Sequence, residues 1–342
     1  MLDRTPSHSA RSAAMRGLVV ARLRELIAGV DPTYQADLLA VLSSPGRLLG
    51  PDPKRAIWPL FPLVFYEALT GDAAPAASAA AAIEVFAAAA DLFDDLEDGD
   101  LTGDLATWNC GRLVNVASGL SMLAQVALLE APTDVIPADR WSKASRILAK
   151  AAFVATGGQA ADLLAEGRPA ITIEECLALA RDKAGSLISA ACQMGAVLAT
   201  DDVEILDLVG EFGLNLGVTQ QLLNDLNDVR PEVQRNWKSD IVRRKKTLPI
   251  AYALNLLNST DRSDCAVPPV FRSWFDSTNA ASLAAKDESL IWHWLLDVGA
   301  LHFAGLMADV YRRRALACLK QLESYLKPAS TQAVETLVPV LT

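Results

Sequence analysis

Apolar residues recur along most of this chain at intervals of three and four positions, with polar residues between them. Such spacing places the apolar side chains on one face of a helix. We find no convincing stretch in which apolar and polar residues alternate as they do in a strand. The pattern therefore predicts an all-α protein, with helices over residues 12–30, 34–42, 57–69, 75–95, 111–129, 138–165, 172–199, 203–230, 290–307 and 310–325, and a further helix that begins near 248. Residues 258–287 are predicted to be a polar connection with one short helix at most.

Composition favours one large helical domain. The 342 residues are 51% hydrophobic but only 6% aromatic, because alanine and leucine, which are strong helix formers, dominate. No change in composition marks a boundary between two folded parts. We therefore expect a single domain over residues 11–342, preceded by a disordered tail over residues 1–10. That tail lacks the long apolar core of a secretory signal.

Charge and cysteine content narrow the class of protein. A net charge of −10 and a pI near 4.9 argue against nucleic acid as a partner. The five cysteines are scattered and lack CxxC spacing, which is typical of a reduced, cytoplasmic protein. The alanine-rich run over residues 73–90 is interrupted by Pro75 and Glu84, so we expect no stable membrane insertion.

Two acidic clusters are the strongest candidates for chemistry. Asp94, Asp95 and Asp98 lie at positions i, i+1 and i+4 of a predicted helix, at the negative end of its dipole, where a compensating cation is expected. A solvated helix end is the alternative for one such cluster alone. A second cluster, formed by Asn224, Asp225 and Asp228, repeats the spacing. Two clusters facing each other across a helical bundle would hold Mg²⁺ and a diphosphate between them.

Three further features carry polar groups in apolar surroundings. The stretch GGQAADLL places Gln159 and Asp162 on one helix face, and Lys183 lies inside a long apolar run. Basic residues at 243–246 follow the second acidic cluster and would bind a diphosphate whose charge the metal ions only partly neutralise. The alternatives are a snorkelling or surface lysine at 183 and a solvated helix end at 243–246.

These stretches, in this order, resemble the trans-isoprenyl diphosphate synthase family over roughly residues 45–255. FDDLED, which ends at Asp98, is similar to the first aspartate-rich motif DDxxD, and Glu84 stands at the position of the family's upstream glutamate. GGQAADL resembles the GQxxD helix. DKAGSLISAACQMGAVLA resembles KTGxLFxxAxxLGA and places Lys183 at the lysine that binds the allylic diphosphate.

Two more motifs extend the resemblance. GLNLGVTQQLLNDLNDV is similar to GxxLGxxFQxxDDxxD, with Gln221 at the glutamine and Asn224 in place of the first aspartate. SDIVRRKKTLP resembles DLxxGKxTLP and places Lys245 at the second diphosphate lysine. The resemblance implies the large isoprenoid-synthase helical bundle with a central cavity. It also implies several Mg²⁺ ions, held by both acidic clusters, that clamp an allylic prenyl diphosphate and promote loss of pyrophosphate.

Departures from the family pattern concern the second substrate, isopentenyl diphosphate. Aligned on Pro59, only Arg55 is kept in the loop that binds it, because Trp58 replaces the second arginine. Ala87 stands at the histidine position, and DGDLTGDLA, which begins at Asp98, offers no arginine. Each lost charge-assisted contact costs about 1.5 to 3 kcal/mol of binding free energy. We therefore expect a terpene synthase of this fold.

Alternative outcomes stay open at this point. One is a prenyltransferase, acting either on a non-isopentenyl acceptor, as ComQ-type enzymes do, or by head-to-tail chain elongation, with Arg47 or Lys54 as substitute ligands. Another is a non-catalytic subunit, although the aspartates and lysines are retained. Ala90 and Ala89 stand where the family limits chain length. Their small size implies a C15–C20 or longer substrate, with Phe86 as the cavity floor. Relatives are commonly homodimers.

Overall fold

The computed structural model describes residues 8–231, 239–258, 267–276 and 283–338. Within these ranges the chain forms helices joined by turns, and the predicted all-α class is confirmed. The α-helices are α1 (His8–Ile27), α2 (Pro32–Leu42), α3 (Leu60–Thr70), α4 (Ala77–Asp98), α5 (Cys110–Leu129), α6 (Ala138–Glu166), α7 (Ile173–Ala180), α8 (Ser186–Ala199), α9 (Val203–Asp228), α10 (Asp240–Arg243), α11 (Leu248–Asn258), α12 (Pro269–Asp276), α13 (Ala285–Asp297), α14 (Ala300–Leu322) and α15 (Pro328–Glu335). Short 3-10 helices span Pro53–Arg55, Ala74–Ala76 and Gly103–Thr107, and a π-helical turn spans Arg181–Gly185. Residues 1–7 of the predicted tail lie outside the described residues.

Contacts between Cα atoms group the described residues into two compact units. The first unit contains residues 8–151, 188–213 and 316–338, and the second contains residues 152–187 and the described part of 214–315. Each acidic cluster belongs to a different unit, because Asp94 lies in the first and Asp225 in the second.

Helix α4 is the core element of the first unit. Ala79, Ala80, Ala81 and Ala82 have no exposed surface, and α4 packs along α5. Small side chains allow such close packing, because the distance between helix axes depends on the residues at the contact. The same principle acts on α8, where a Cβ atom at Gly195 would lie 2.3 Å from the carbonyl oxygen of Pro62. The first unit is therefore built around an alanine-rich helix that ends in acids.

The second unit has two clusters of buried apolar side chains. One joins α6, α7, α9, α11 and α14 and includes Val218, Leu222 and Leu248. The other joins α11, α12 and α13 and includes Phe271, Trp274 and Trp294. Aromatic rings dominate the second cluster, and the Phe271 and Trp294 ring centroids are 4.5 Å apart.

The predicted helix over residues 172–199 is interrupted. Its start is as predicted: Thr172 Oγ1 accepts a hydrogen bond from the Glu175 N–H (3.1 Å), and Glu175 Oε2 accepts one from the Thr172 N–H (2.7 Å). The helix α7 then ends at Ala180, and the π-helical turn that contains Lys183 precedes α8. Apolar spacing does not reveal such a turn, because a π-helical turn inserts an extra residue without breaking the helical chain.

The predicted boundaries near the C-terminus are wrong. The break between the last long helices falls at Val298 and Gly299, rather than near residue 308. Gly299 has φ +79°, the left-handed conformation in which helices commonly end at glycine. Apolar residues continue on both sides of this glycine and conceal the break. The helix α12 lies within the predicted connection, and α15 was not predicted.

Two helices in the described ranges are long and apolar enough to cross a membrane, judged by length and composition alone. They are Ala74–Asp98 and Cys110–Leu129. We expected Pro75 and Glu84 to make the alanine-rich run unsuitable as a membrane span. By length and composition alone, this expectation is wrong. In the first helix, however, 72% of the apolar 18-residue stretch is buried inside the protein, whereas in the second helix 39% of the corresponding stretch is buried. Packing in the core accounts for the apolar character of α4.

Candidate active site

The first acidic cluster occupies the last turn of α4. The helix extends to Asp98, beyond the predicted end at residue 95, so Asp94, Asp95 and Asp98 are all helical. Gly99 ends the helix with φ +69°, and its N–H bonds to the Asp95 carbonyl. The three aspartates therefore all lie within the last five residues of α4, at its C-terminal end.

Burial, and after it repulsion between neighbouring acids, determines the electrostatics of Asp95 in this cluster. Partial desolvation, together with the charges of Asp91, Asp94, Asp100 and Asp98, raises the pKa of Asp95 to about 7. An aspartate normally titrates near 3.9. The carboxylates at the end of α4 therefore repel one another, and a bound divalent cation would reduce this repulsion.

A loop before α3 is tied to α4 just upstream of these acids. Arg47 forms an ion pair with Asp91 and donates a hydrogen bond to the Ala87 carbonyl oxygen (3.0 Å). Glu84 is buried, with 1% exposure, and accepts a hydrogen bond from the Leu48 N–H (2.8 Å). Burial raises the pKa of Glu84, opposed by Arg47. Arg47 thus lies beside Ala87, where the family has histidine, but two carboxylates already attract its charge.

The loop position that resembles the isopentenyl diphosphate site is held by α1. Arg16 donates hydrogen bonds to the carbonyl oxygens of Pro53 and Lys54, both at 3.0 Å. These residues precede Arg55, the last residue of a 3-10 helix. The side chain of Arg55 lies outside the described part of the structure. For Arg55, the structure therefore shows only how the backbone just before it is held by Arg16.

The three positions predicted to limit substrate length differ in exposure. Phe86 and Ala90 are half-buried, whereas Ala89 has 0% exposure. Phe86, Ala90 and Asp94 are spaced four residues apart, so they share one face of α4. Ala89 belongs to the packed face. Only Phe86 and Ala90 therefore retain surface on the face that leads to Asp94.

In the second unit, two lysines converge on one carboxylate. Lys183 Nζ lies 2.7 Å from Asp162 Oδ2, and Lys245 Nζ lies 4.0 Å from the same oxygen. Lys183 comes from the π-helical turn, Asp162 from α6, and Lys245 from the segment between α10 and α11. The two predicted diphosphate ligands are thus brought together. We call these three residues the lysine pair cluster.

Close helix packing places the lysine pair cluster. A Cβ atom at Gly158 would lie 2.9 Å from Asp182 Cβ and 3.1 Å from Lys183 Cγ. A Cβ atom at Gly217 would lie 2.5 Å from the Ala184 carbonyl oxygen. Real Cβ contacts are longer than this, so both positions require glycine for α6 and α9 to touch the π-helical turn. This explains the glycines in two of the motifs.

Gln159 lies one turn of α6 before Asp162. Its Nε2 and Oε1 atoms are buried, and neither has a hydrogen-bond partner among the residues that the structure describes. Buried amides without partners are costly, at about 1 to 3 kcal/mol per group. A polar group in this state requires an explanation, and a bound ligand that completes its hydrogen bonds would provide one.

The second acidic cluster lies on α9. Gln221 Nε2 donates a hydrogen bond to Asp225 Oδ1 (3.0 Å), and the Leu248 N–H approaches Asp225 Oδ2 (3.5 Å). Burial raises the pKa of Asp225 to about 6, although these hydrogen bonds oppose the shift. Asn224 is exposed and Asp228 is half-buried. Gln221 therefore positions the only one of the three cluster members that is buried.

Two acids in the second unit were not among the predicted site residues. The GQxxD resemblance and the shared face with Gln159 single out Asp162 in the sequence, but its contact with both lysines is tertiary and could not be read from that motif. Asp240 is 5% exposed, and its carbonyl oxygen accepts a hydrogen bond from the Lys245 N–H (3.0 Å). Burial, with the charges of Asp225 and Asp228, raises the pKa of Asp240.

The described residues contain no preformed metal site made of protein side chains alone. No group of three or more carboxylates, imidazoles or thiolates there converges closely enough to hold an ion. Mg²⁺ does not require one, since it keeps several waters and binds one or two carboxylates together with substrate phosphate. The oxygen donors on α4 and α9 fit that chemistry. That the two acidic clusters face each other stays a prediction, as does each assigned ligand role.

Comparison with known proteins identifies the family. A family model described as Polyprenyl synthetase matches residues 49–266. The geranylgeranyl diphosphate synthase of Mycobacterium tuberculosis (strain ATCC 25618 / H37Rv) is 32% identical over 257 residues, covering 73% of this chain and 69% of that protein. The (2E,6E)-farnesyl diphosphate synthase of Mycobacterium bovis (strain ATCC BAA-935 / AF2122/97) is 26% identical over 293 residues, covering 82% and 78%.

Solved structures share the fold. The crystal structure of polyprenyl synthetase from Streptomyces coelicolor A3(2) has a TM-score of 0.79 and 22% identity, covering 96% of this chain and 98% of that one. Geranylgeranyl pyrophosphate synthetase from Pyrococcus horikoshii Ot3 has a TM-score of 0.79 and 23% identity, covering 95% and 96%. The match of the family model to most of the chain, together with the 32% identical relative, shows that the protein is an enzyme of the polyprenyl synthetase family.

Proposed function

We propose that this protein is a Mg²⁺-dependent prenyl diphosphate synthase, which ionises an allylic prenyl diphosphate and joins it head-to-tail to isopentenyl diphosphate. The lysine pair cluster carries the proposal, because Lys183 and Lys245 approach one carboxylate within 2.7 Å and 4.0 Å. Such a pair is suited to a polyanion that replaces Asp162 as its partner. The curated relatives, which are named as farnesyl and geranylgeranyl diphosphate synthases, support elongation over terpene formation.

The chemistry follows from charge. When the allylic C–O bond breaks, its electron pair passes to the pyrophosphate oxygen, and positive groups next to that oxygen stabilise the transition state. Lys183 and Lys245 supply two such charges. The buried amide of Gln159, which has no hydrogen-bond partner among the described residues, adds a polar group one helical turn from Asp162. Apolar residues such as Ala90 and Phe86 would shield the carbocation from water.

The acids provide the metal ligands. Asp94, Asp95 and Asp98 on α4, and Asn224, Asp225 and Asp228 on α9, would hold Mg²⁺. When bound, Mg²⁺ neutralises diphosphate oxygens and so makes pyrophosphate a better leaving group. Asn224 supplies an amide oxygen and not a carboxylate, so this cluster carries one charge fewer than the first.

A second candidate function is terpene synthesis from one prenyl diphosphate. The specific observation in its favour is the state of the isopentenyl diphosphate positions. Ala87 has no polar side chain, Trp58 replaces an arginine, and the charge of Arg47 is already paired with Asp91. Transfer to another acceptor, as in ComQ-type enzymes, would follow from the same observation. The C15–C20 or longer substrate range applies to each case.

Assembly and location are part of the proposal. We propose a cytoplasmic protein without membrane insertion, because the apolar helix α4 is largely buried in the core. We also propose that it is a homodimer. The helix α5 supports dimer formation, because only 39% of its apolar 18-residue stretch is buried within one chain. Exposed apolar surface of this kind marks an interaction site.

The deciding experiment is product analysis of the purified chain with Mg²⁺ and geranyl, farnesyl or geranylgeranyl diphosphate, each with and without isopentenyl diphosphate. Longer diphosphates that appear only when isopentenyl diphosphate is present would support elongation. Hydrocarbon or alcohol from a single diphosphate would support terpene synthesis instead and would overturn the first proposal.

Variants assign the site. Replacing Lys183→Gln should lower Mg²⁺-dependent pyrophosphate release by about 10²-fold, as for loss of one transition-state stabilising group. The matched control is Lys150→Gln, which alters an exposed lysine of α6 and should leave release unchanged. Equal rates in both variants would contradict the role of Lys183.

A further inference from the structure

The segment that carries Lys245 has an unusual backbone. After the single turn of α10, Arg244 adopts φ +60°, in the left-handed region that a residue with a side chain rarely occupies. The Arg244 N–H bonds to the Ile241 carbonyl (3.2 Å), and the Lys245 N–H bonds to the Asp240 carbonyl (3.0 Å). A helix of one turn with a strained end needs outside support to keep one conformation.

Trp274 on α12 provides that support from two sides of its indole ring. Its Nε1–H donates a buried hydrogen bond of 2.7 Å to the Ile241 carbonyl oxygen, which already accepts the Arg244 N–H. The guanidinium of Arg244 lies 4.1 Å from the centroid of the Trp274 ring. The ring thus holds both the backbone of α10 and the side chain that follows it.

The next aromatic residue of α12 supports the other side of Lys245. Lys246 Nζ lies 5.1 Å from the Phe275 ring centroid and donates a hydrogen bond to the Arg244 carbonyl oxygen (3.1 Å). The Lys246 carbonyl oxygen accepts a hydrogen bond from Cys176 Sγ (2.8 Å). Residues 244 and 246 are therefore both fixed by neighbours in the second unit.

Fixing these two residues determines where Lys245 points. Lys245 lies between Arg244, which ends the turn in the left-handed conformation, and Lys246, so the backbone is held on both sides of it. Arg244 and Lys246 face the aromatic rings of α12, whereas Lys245 Nζ lies 4.0 Å from Asp162 Oδ2. We propose that Trp274, assisted by Phe275, is a positioning residue that aims Lys245 at the diphosphate. The inference rests on the proposed function, in which Lys245 binds that group.

A purely structural role for Trp274 is the alternative, and a neighbour allows the two to be separated. Trp294 belongs to the same apolar cluster and has the same 7% exposure as Trp274. Its Nε1 atom is buried and has no hydrogen-bond partner in the described part of the chain. Replacing Trp294 therefore removes an indole from the same core without releasing the turn that carries Lys245.

The test compares Trp274→Phe with Trp294→Phe in the full-length chain. Binding of inorganic pyrophosphate in the presence of Mg²⁺ is measured by titration calorimetry, and thermal unfolding is measured in parallel. Trp274→Phe should weaken binding by up to about tenfold, the range of one hydrogen bond, whereas Trp294→Phe should change it less than about twofold. Equal effects of the two substitutions would overturn the proposal.

A double-mutant cycle with Lys245→Gln identifies the route of the effect. If Trp274 acts through Lys245, Trp274→Phe should weaken binding no further in the Lys245→Gln background. Additive losses would overturn the proposal. If Lys245→Gln alone leaves pyrophosphate binding unchanged, the proposed function of Lys245 fails, and the inference fails with it. Should Trp274→Phe not fold, Phe275→Leu tests the same support with the same readings.

Discussion

Ala90 and Ala89 are adjacent in the chain but face different surroundings. Ala90 is half-buried on the same face of α4 as Phe86 and Asp94, whereas Ala89 has 0% exposure. We expect Ala90→Leu to shorten the longest product, because the added carbon atoms occupy space next to the prenyl chain. Chromatography of the reaction products measures the change in chain length.

Ala89→Leu is the matched control for this prediction. A larger side chain in a packed core forces neighbours to move and costs about 1 to 3 kcal/mol of stability. We therefore expect a lower unfolding temperature with little change in product length among the molecules that stay folded. A shortened product from Ala89→Leu alone would mean that the substrate runs along the other face of α4.

Glu84 gives a pH dependence with a defined sign. Burial raises its pKa in the folded chain, so the native state holds a proton that the unfolded state has lost. The free energy of unfolding must then fall as pH rises from about 4.3, the ordinary value for glutamate, through the raised value. Glu84→Gln removes this component and keeps an oxygen that can accept from the Leu48 N–H.

Urea unfolding at several pH values checks this sign. The stability of Glu84→Gln relative to the unmodified chain should increase as pH rises. Glu84→Ala is the comparison, because it leaves the Leu48 N–H without this acceptor and should destabilise at every pH, by about 1 to 3 kcal/mol. A difference between Glu84→Gln and the unmodified chain that does not vary with pH would show that Arg47 compensates the buried charge in full.

At the scale of elements, the end of α4 depends on a backbone conformation. Gly99 has φ +69°, and no atom lies within 4 Å of a Cβ placed there. Gly99→Ala therefore tests conformation without a clash, and should lower the free energy of unfolding by about 1 kcal/mol.

Gly17 in α1 is the control. It also has open space, but it lies inside a helix, so Gly17→Ala should raise the free energy of unfolding by up to about 1 kcal/mol. Effects of the same sign in chemical denaturation would refute the assignment of Gly99 as a left-handed cap.

Local signals decided which elements could be predicted from the sequence. The capping box at Thr172 and Glu175, the prolines that begin α3 and the apolar period of α4 are all read within a few residues. The π-helical turn at Lys183 is not, because it depends on close packing against α6 and α9. The sequence predicts at most one short helix within residues 258–287 but does not place α12, whose Trp274 is held by tertiary contacts with Ile241 and Arg244. Gly299 carried a usable signal that the continuous apolar pattern around it concealed.

At the scale of the whole molecule, the motifs predict which residues belong to the candidate site, but not which partners those residues have. Motifs in a fixed order predict Asp94, Lys183, Asp225 and Lys245 as site residues, and the family model matches the stretch of chain that contains all four. The carboxylate of Asp162 that joins the two lysines required tertiary packing, because Lys183 and Lys245 approach it from separate elements. The second substrate depends on which positively charged groups surround it, so missing family residues alone do not decide between elongation and terpene synthesis.

The exposed face of α5 leads to a prediction about assembly. Val114, Met122 and Leu129 are 39%, 64% and 73% exposed, and their spacing of seven and eight residues places them on one helix face. If this apolar face joins two copies of the chain, Met122→Glu should produce a monomer, because a carboxylate would be buried without a partner. Analytical ultracentrifugation measures the mass of each form.

Val203→Glu is the control, since it places the same charge on a residue that is 69% exposed at the start of α9. A monomeric unmodified chain would refute the homodimer, whereas a dimeric Met122→Glu variant would assign the interface to another face.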